Sequence, residues 1–243
     1  MAALSIIAGP PLADEEGLGT LTLGGWLREV TQAHAGREAL VFHGPDGVVR
    51  WSHDDLWAQA NAVARSLVAC GVGKGTRVGV LMTNRPEFLS AVFGVALAGG
   101  VAATLSTFST PAELDHLVQS SACSVLLLER NVLKKDFGAI LADLEPAIGV
   151  AGDGRLVSTR FPFLRHLAAV DGAMGRIEEW RAFLARGDAV DQALVDATAA
   201  TVMPADPGVL FFSSGSTAKP KGIISAHRGP TLQLWRWKRF LQA

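Results

Sequence analysis

Between residues 88 and 112 the chain carries no charged side chain. A stretch of that length and polarity either crosses a bilayer or is buried inside protein. Gly99-Gly100 divides it and decides between the two. Before the glycines, Phe88, Leu89, Val92, Phe93, Ala96 and Leu97 recur at helical spacing. After them, Val101 to Leu105 reads as a short buried strand. Helix followed by buried strand is therefore expected, and no transmembrane segment.

The flanking sequence repeats this alternation. A helix is expected over residues 21–34, then a hairpin in which 39–42 and 48–51 flank Gly44-Pro45-Asp46-Gly47. Ser52 and Asp55 mark a helix start, an acidic form of the capping box. Its apolar stripe, Leu56, Ala60, Val63, Ala64, Leu67 and Val68, runs until Gly71. Gly71-Val72-Gly73-Lys74-Gly75-Thr76 has the look of a nucleotide loop but precedes a strand, 77–82, so it reads as a helix-to-strand connector. Thr110-Pro111-Ala112-Glu113 opens another helix, with proline at its first position. Strands are expected at 124–128 and 163–170, and helices within 131–144, 178–185 and 190–199. Residues 203–207 form a linker into Gly208-Val209-Leu210-Phe211-Phe212, which reads as a buried strand. Strands alternating with helices of this length predict an α/β domain with a largely parallel sheet flanked by helices.

Composition narrows the function. The chain has 243 residues, 49% of them hydrophobic, which is a globular balance rather than a disordered one. A net charge of −1 lacks the basic excess of a nucleic-acid binder. Cys70 and Cys123 lie in apolar surroundings and read as reduced core residues, and the histidines show no ligand spacing. His53-Asp54-Asp55 sits in a helix's first turn, where the helix dipole accounts for it. Residues 1–20 read as a lead-in without the positive start of a secretory signal, so a cytoplasmic protein is expected.

The chemistry concentrates in Ser213-Ser214-Gly215-Ser216-Thr217-Ala218-Lys219-Pro220-Lys221-Gly222. Glycines let backbone N–H groups turn toward an anion, hydroxyls add short donors, and lysine adds a compact positive charge. These are the needs of a polyphosphate. The pattern is not the Gly-Lys-Ser/Thr loop that opens a helix, because Pro220 separates the lysines and a strand pattern follows. It resembles the adenylate-forming superfamily of acyl-CoA synthetases, aryl-CoA ligases, luciferases and peptide-synthetase adenylation domains. Their motif, Ser/Thr-Ser-Gly-Ser/Thr-Thr-Gly-x-Pro-Lys-Gly, is matched at every fixed position except Ala218, where the family has glycine. The following Ile223 to Arg228 is most similar to acyl-CoA ligases. Asn84-Arg85-Pro86-Glu87-Phe88, Ala98-Gly99-Gly100-Val101 and Thr110-Pro111-Ala112-Glu113-Leu114 are similar in order to the N-terminal half of those enzymes.

The resemblance implies that a carboxylic acid is activated by ATP as an acyl-adenylate and then passed to coenzyme A, with Mg2+ as a cofactor. It places Ser213, Ser214, Gly215, Ser216, Thr217, Lys221 and Gly222 at the ATP phosphates, with Lys221 neutralising the departing pyrophosphate. Lys219 occupies a variable position and receives no role. The family's later elements, an aromatic-Gly-x-Thr-Glu motif, a ribose-binding aspartate and an adenylation lysine, all lie downstream of the motif and are absent here. No catalytic or metal-binding residue is assigned. Residues 21–243 are thus expected to form part of the family's large domain, without its C-terminal half or the small C-terminal domain. Two functions stay open: an acyl-CoA-ligase-type enzyme of which this is part, and a non-catalytic remnant or phosphate-binding module. The tail Trp235-Arg236-Trp237-Lys238-Arg239-Phe240 reads as an amphipathic helix that packs on protein, in preference to a membrane- or nucleic-acid-binding surface.

Overall fold

The computed structural model describes residues 11–45, 47–152, 155–213 and 219–241. Helix α1 (Leu23–Ala33) leads into an antiparallel pair, β1 (Glu38–Gly44) and β2 (Gly47–Ser52). Then come α2 (His53–Ala69), β3 (Arg77–Leu81), α3 (Pro86–Leu97), β4 (Val101–Thr104), α4 (Pro111–Ser121) and β5 (Val125–Leu128). A small ribbon, β6 (Asn131–Val132) and β7 (Lys135–Asp136), precedes α5 (Phe137–Leu144) and α6 (Pro146–Gly149). The chain continues through β8 (His166–Ala169), β9 (Ile177–Glu179), α7 (Trp180–Ala185) and α8 (Gln192–Ala200). It ends with β10 (Pro207–Ser213), β11 (Lys221–Ala226) and α9 (Arg228–Leu241).

Among the described residues seven strands form the central sheet, in the order β11-β10-β4-β3-β5-β8-β9. All neighbours are parallel except β10 and β11. The strand alternation explains the layering. Val78, Val80, Val125, Leu127 and Ala168 point into a core shared with α2 and α3, together with Phe183 of α7 and Val195 of α8. Leu81, Ala103, Leu126, Leu128, Leu167 and Ala169 point the other way, into a core completed by α4, α5 and α6. A sheet covered on both faces needs apolar residues at every strand position, which is why these strands read as continuous apolar runs. Both cysteines are free and buried, and burial pushes the Cys70 thiol up to about 11.

Local chemistry sets the element starts. The capping boxes Ser52/Asp55 and Thr110/Glu113 are both formed, with reciprocal bonds between side chain and backbone. The uncharged stretch divides as its glycines predict. α3 ends at Leu97, Gly99 takes φ +75°, and β4 begins at Val101. No helix among the described residues is long and apolar enough to cross a membrane. At Gly94 α3 lies close against α2, since a Cβ there would lie 2.6 Å from Val63 Cγ1 and 2.9 Å from the Ala60 carbonyl oxygen.

Two expectations are corrected, and a third is met with its bounds narrowed. Residues 178–179 do not start a helix; they pair with Ala168 and Ala169 as edge strand β9, and only then does α7 begin. Sheet pairing overrides helix preference there. In 131–144 the helix starts at Phe137, because Asp136 caps it by accepting from the Ala139 N–H, and the residues before it turn back as a ribbon with Leu133 at φ 56°. β10 is buried only over Gly208, Val209 and Leu210. Beyond Leu210 it outruns its pairing with β4, and Phe211 is 44% exposed.

Helix α9 packs on the chain's own N-terminal part through one side of its aromatic tail. Trp235 is buried, sits edge-on to Trp26 at 6.5 Å and donates its indole N–H to the Thr20 carbonyl. Trp237 and Phe240 stay exposed.

Candidate functional site: a phosphate loop at the carboxyl edge of the sheet

The loop that carries the motif joins β10 to β11. Val209 and Leu210 pair in parallel with Ala102 and Ala103 of β4, so β10 leaves the sheet at its carboxyl edge. In α/β sheets ligands bind in the crevice outside that edge. The hairpin register then sets Phe212 against Gly222 and Ser213 against Lys221. Cross-strand partners share a face, so the Ser213 hydroxyl and the Lys221 ammonium project to the same side at the base of the loop. Lys221 is exposed and Ser213 half-buried. Of the residues expected at the phosphates, Ser213, Lys221 and Gly222 are thus brought together. Ser214, Gly215, Ser216 and Thr217, together with Ala218, lie outside the described residues. Gly222 also has a packing reason: a Cβ there would lie 3.1 Å from Leu210 Cδ1.

Neighbouring connections build the same rim. Lys135 donates to the carbonyls of Thr107 and Ser109 at 3.1 and 2.8 Å, tying down the turn between β4 and α4. At the end of β5, Glu129 accepts from the Thr83 N–H and hydroxyl and pairs with Arg85, which also holds Glu87. Burial would lower the Arg85 pKa, but the hydrogen bond it donates to Glu87 and the charges of Glu87 and Glu129 outweigh that and raise it. After β8, Asp171 accepts the backbone N–H groups of Arg130 and Asn131 at 2.6 Å.

Sequence reasoning missed a contact from α4 to the loop. His116 Nε2 lies 2.9 Å from the Pro220 carbonyl oxygen, across a separation of 104 residues. Nothing in the periodicity of α4 singles His116 out, because its apolar face is formed by Leu114, Leu117 and Val118. The adjacent Asp115 is gripped by Arg160 at 2.8 and 2.9 Å. That hydrogen bond first, and the charge of Lys219 among smaller causes, hold its carboxyl below the usual range.

The arrangement fits a polyphosphate: a hydroxyl and a lysine at the mouth of a loop, with carboxylates held by other partners. Among the described residues no group of three or more His, Cys, Asp or Glu side chains could hold a metal ion. A magnesium ion arriving on phosphates needs only one or two protein carboxylates.

Three histidines off the loop carry a pH prediction. Burial is the main cause that lowers the pKa of His53, His166 and His227. Each also has a buried ring nitrogen with no partner among the described residues. The His227 Nδ1 accepts from the Leu23 N–H at 3.3 Å, locking α9's start to α1's start. Their folded pKa values lie below the unfolded value of about 6.5, so the unfolded chain takes protons first as pH falls. Stability is complete above about pH 6.5 and declines below it. The urea midpoint should therefore drop between pH 7.5 and 5.5, ahead of carboxylate titration. An equal or higher midpoint at pH 5.5 would contradict the assignment.

A family model for AMP-binding enzymes matches residues 27–241. Acyl-CoA ligase SID4 of Ajellomyces capsulatus is 27% identical over 224 residues, covering 92% of this chain and 36% of that protein. Acyl-CoA ligase sidI of Aspergillus fumigatus is 28% identical over 224 residues, with the same coverages of 92% and 36%. The chain thus spans about 36% of the length of these curated relatives. Among solved structures, the anthranilate CoA ligase AuaEII in complex with anthranoyl-AMP superposes with a TM-score of 0.68 at 22% identity, over 92% of this chain and 38% of that one. That likeness concerns the fold, which is the part of the α/β domain described above. With a family match across most of its length, the chain belongs to the AMP-binding enzymes, among relatives that are acyl-CoA ligases.

Proposed function

We propose that this chain supplies the phosphate-binding side of an ATP-dependent acyl-CoA ligase, with residues 21–243 forming part of its large domain. The reaction would join a carboxylic acid to the α-phosphorus of ATP, breaking the bond to pyrophosphate, and a coenzyme A thiol would then displace AMP. Within it, the Ser213 hydroxyl donates to a β- or γ-phosphate oxygen, as the loop residues 214–217 would from their hydroxyls and N–H groups. Lys221 neutralises charge that builds on the departing pyrophosphate, where electrostatic stabilisation acts most strongly. Pro220 restricts the loop next to its glycine-containing part. The observation that carries this reading is the Ser213–Lys221 pair, which closes the motif loop at the carboxyl edge of a parallel sheet.

Phosphate contacts alone do not place a carboxylate in line with the α-phosphorus, and that placement is a large part of such catalysis. Residues 1–243 are therefore expected to bind ATP and pyrophosphate competitively and AMP far more weakly. Carboxylate-dependent ATP–pyrophosphate exchange, assayed over fatty and aromatic acids, should stay at the level of a Lys221→Ala control. Binding that follows adenosine rather than the phosphate chain would sink the phosphate-side reading. Exchange well above the control would show a more complete site than proposed.

A further inference from the structure

We propose that His116 is a positioning residue which pins the lysine end of the loop by donating its Nε2–H to the Pro220 carbonyl. The inference rests on the phosphate-loop reading for its purpose, though not for its geometry. Helix α4 is a firm platform. Its start is fixed by the Thr110/Glu113 box, and Leu114, Leu117, Val118 and Ser121 are buried along its inner face. His116 lies half-buried on the flank of that face, with Nε2 2.9 Å from the Pro220 oxygen. A carbonyl can only accept, so Nε2 carries the proton. Nδ1 is then an acceptor, and the Ser120 hydroxyl one turn along lies 3.3 Å from it. One neutral tautomer satisfies both ring nitrogens.

The bond acts at the place where the loop has freedom left. Proline fixes its own φ and has no N–H to anchor. Its remaining backbone rotation is ψ, which swings the Pro220–Lys221 peptide and with it the start of β11. A hydrogen bond to the Pro220 carbonyl arrests that rotation. Lys221 then enters β11 opposite Ser213, with its side chain on the face of the hydroxyl. His116 thus holds Pro220 directly, while the carboxylate of its neighbour Asp115 is taken up by Arg160. Both lysines of the loop end stay exposed, and Lys221 is the one whose place is set by the strand pairing.

The sequence offers its own probe. Trypsin does not cut the Lys219–Pro220 bond, whereas Lys221–Gly222 is open to it, so the cleavage rate after Lys221 reports local opening at the start of β11. Gln carries a donor nitrogen at the position of His Nε2; Asn carries one only at the position of Nδ1. In residues 1–243, His116→Ala and His116→Asn should be cut after Lys221 roughly three- to tenfold faster than wild type, the factor that loss of one hydrogen bond gives. His116→Gln should return to within about twofold of wild type. Thermal unfolding midpoints of the Ala and Asn variants should fall by no more than about 2–4 °C, the shift one hydrogen bond gives in a chain of this size, and a larger fall would mark general destabilisation instead of a local clamp. Inorganic pyrophosphate affinity should follow the same order, weakest in the Ala and Asn variants. If Ala, Asn and Gln variants are all cut at the wild-type rate, or if Asn rescues as well as Gln, the clamp is wrong. If the cleavage order holds but pyrophosphate neither binds nor protects wild type, the clamp stands and the phosphate-side reading falls.

Discussion

Phe137→Ala is expected to lower the unfolding free energy by about 3–5 kcal/mol, the usual loss for a large aromatic removed from a closed core. Phe137 is fully buried at the first position of α5, in the core between the sheet and helices α4 to α6. Domains of this kind are stable by roughly 5–15 kcal/mol, so the loss is a large share of the total. The effect should also reach the rim. The Lys135 ammonium sits 5.7 Å from the Phe137 ring centre and donates to the Thr107 and Ser109 carbonyls. Without the ring, Lys135 loses its platform, and the turn between β4 and α4 should exchange its amide hydrogens faster. Urea denaturation gives the first quantity and hydrogen exchange the second. Phe163→Ala serves as a control, because Phe163 is 59% exposed and its loss should stay within about 0.5 kcal/mol. A Phe137→Ala loss no larger than that of the control would mean the core between sheet and helices is not closed as described.

The sheet was legible because covered parallel strands leave a simple trace. Val125 to Leu128 are all buried, as a strand covered on both faces requires, and the shortness of the apolar run favours a strand over a helix. Helix starts were legible through side chains that bond their own backbone, as at Ser52 and Thr110. Edges were not. Glu178-Glu179 has the composition of a helix turn and becomes a strand only because β8 is there to pair with it. Phe211 reads as core, but the hairpin carries it past the strand that would have covered it. The site divides in the same way. The loop's chemistry stands in contiguous residues, whereas its support comes from His116, whose link to Pro220 leaves no local pattern. By composition alone Lys219 and Lys221 look equivalent, and only the resemblance to the family's motif gives Lys221 a role and Lys219 none. The fold adds a second difference, because Lys221 pairs across the hairpin with Ser213 whereas Lys219 lies before β11 and is exposed.

That separation yields the second large effect. Lys221→Ala should weaken pyrophosphate binding roughly ten- to hundredfold, the range for a hydrogen bond to a charged group. Lys219→Ala should stay within about threefold, because loss of a nearby exposed charge acts only through a screened field. The Lys221 contribution should shrink as salt rises, since the lysine is exposed. The most direct test of the phosphate-loop assignment is a calorimetric titration of inorganic pyrophosphate, with magnesium present, into wild-type 1–243 and the two lysine variants at low and moderate ionic strength. The account predicts saturable binding by wild type and Lys219→Ala and a tenfold or greater loss in Lys221→Ala. Equal losses in both variants, or wild-type binding no stronger than that of Lys221→Ala, would contradict it.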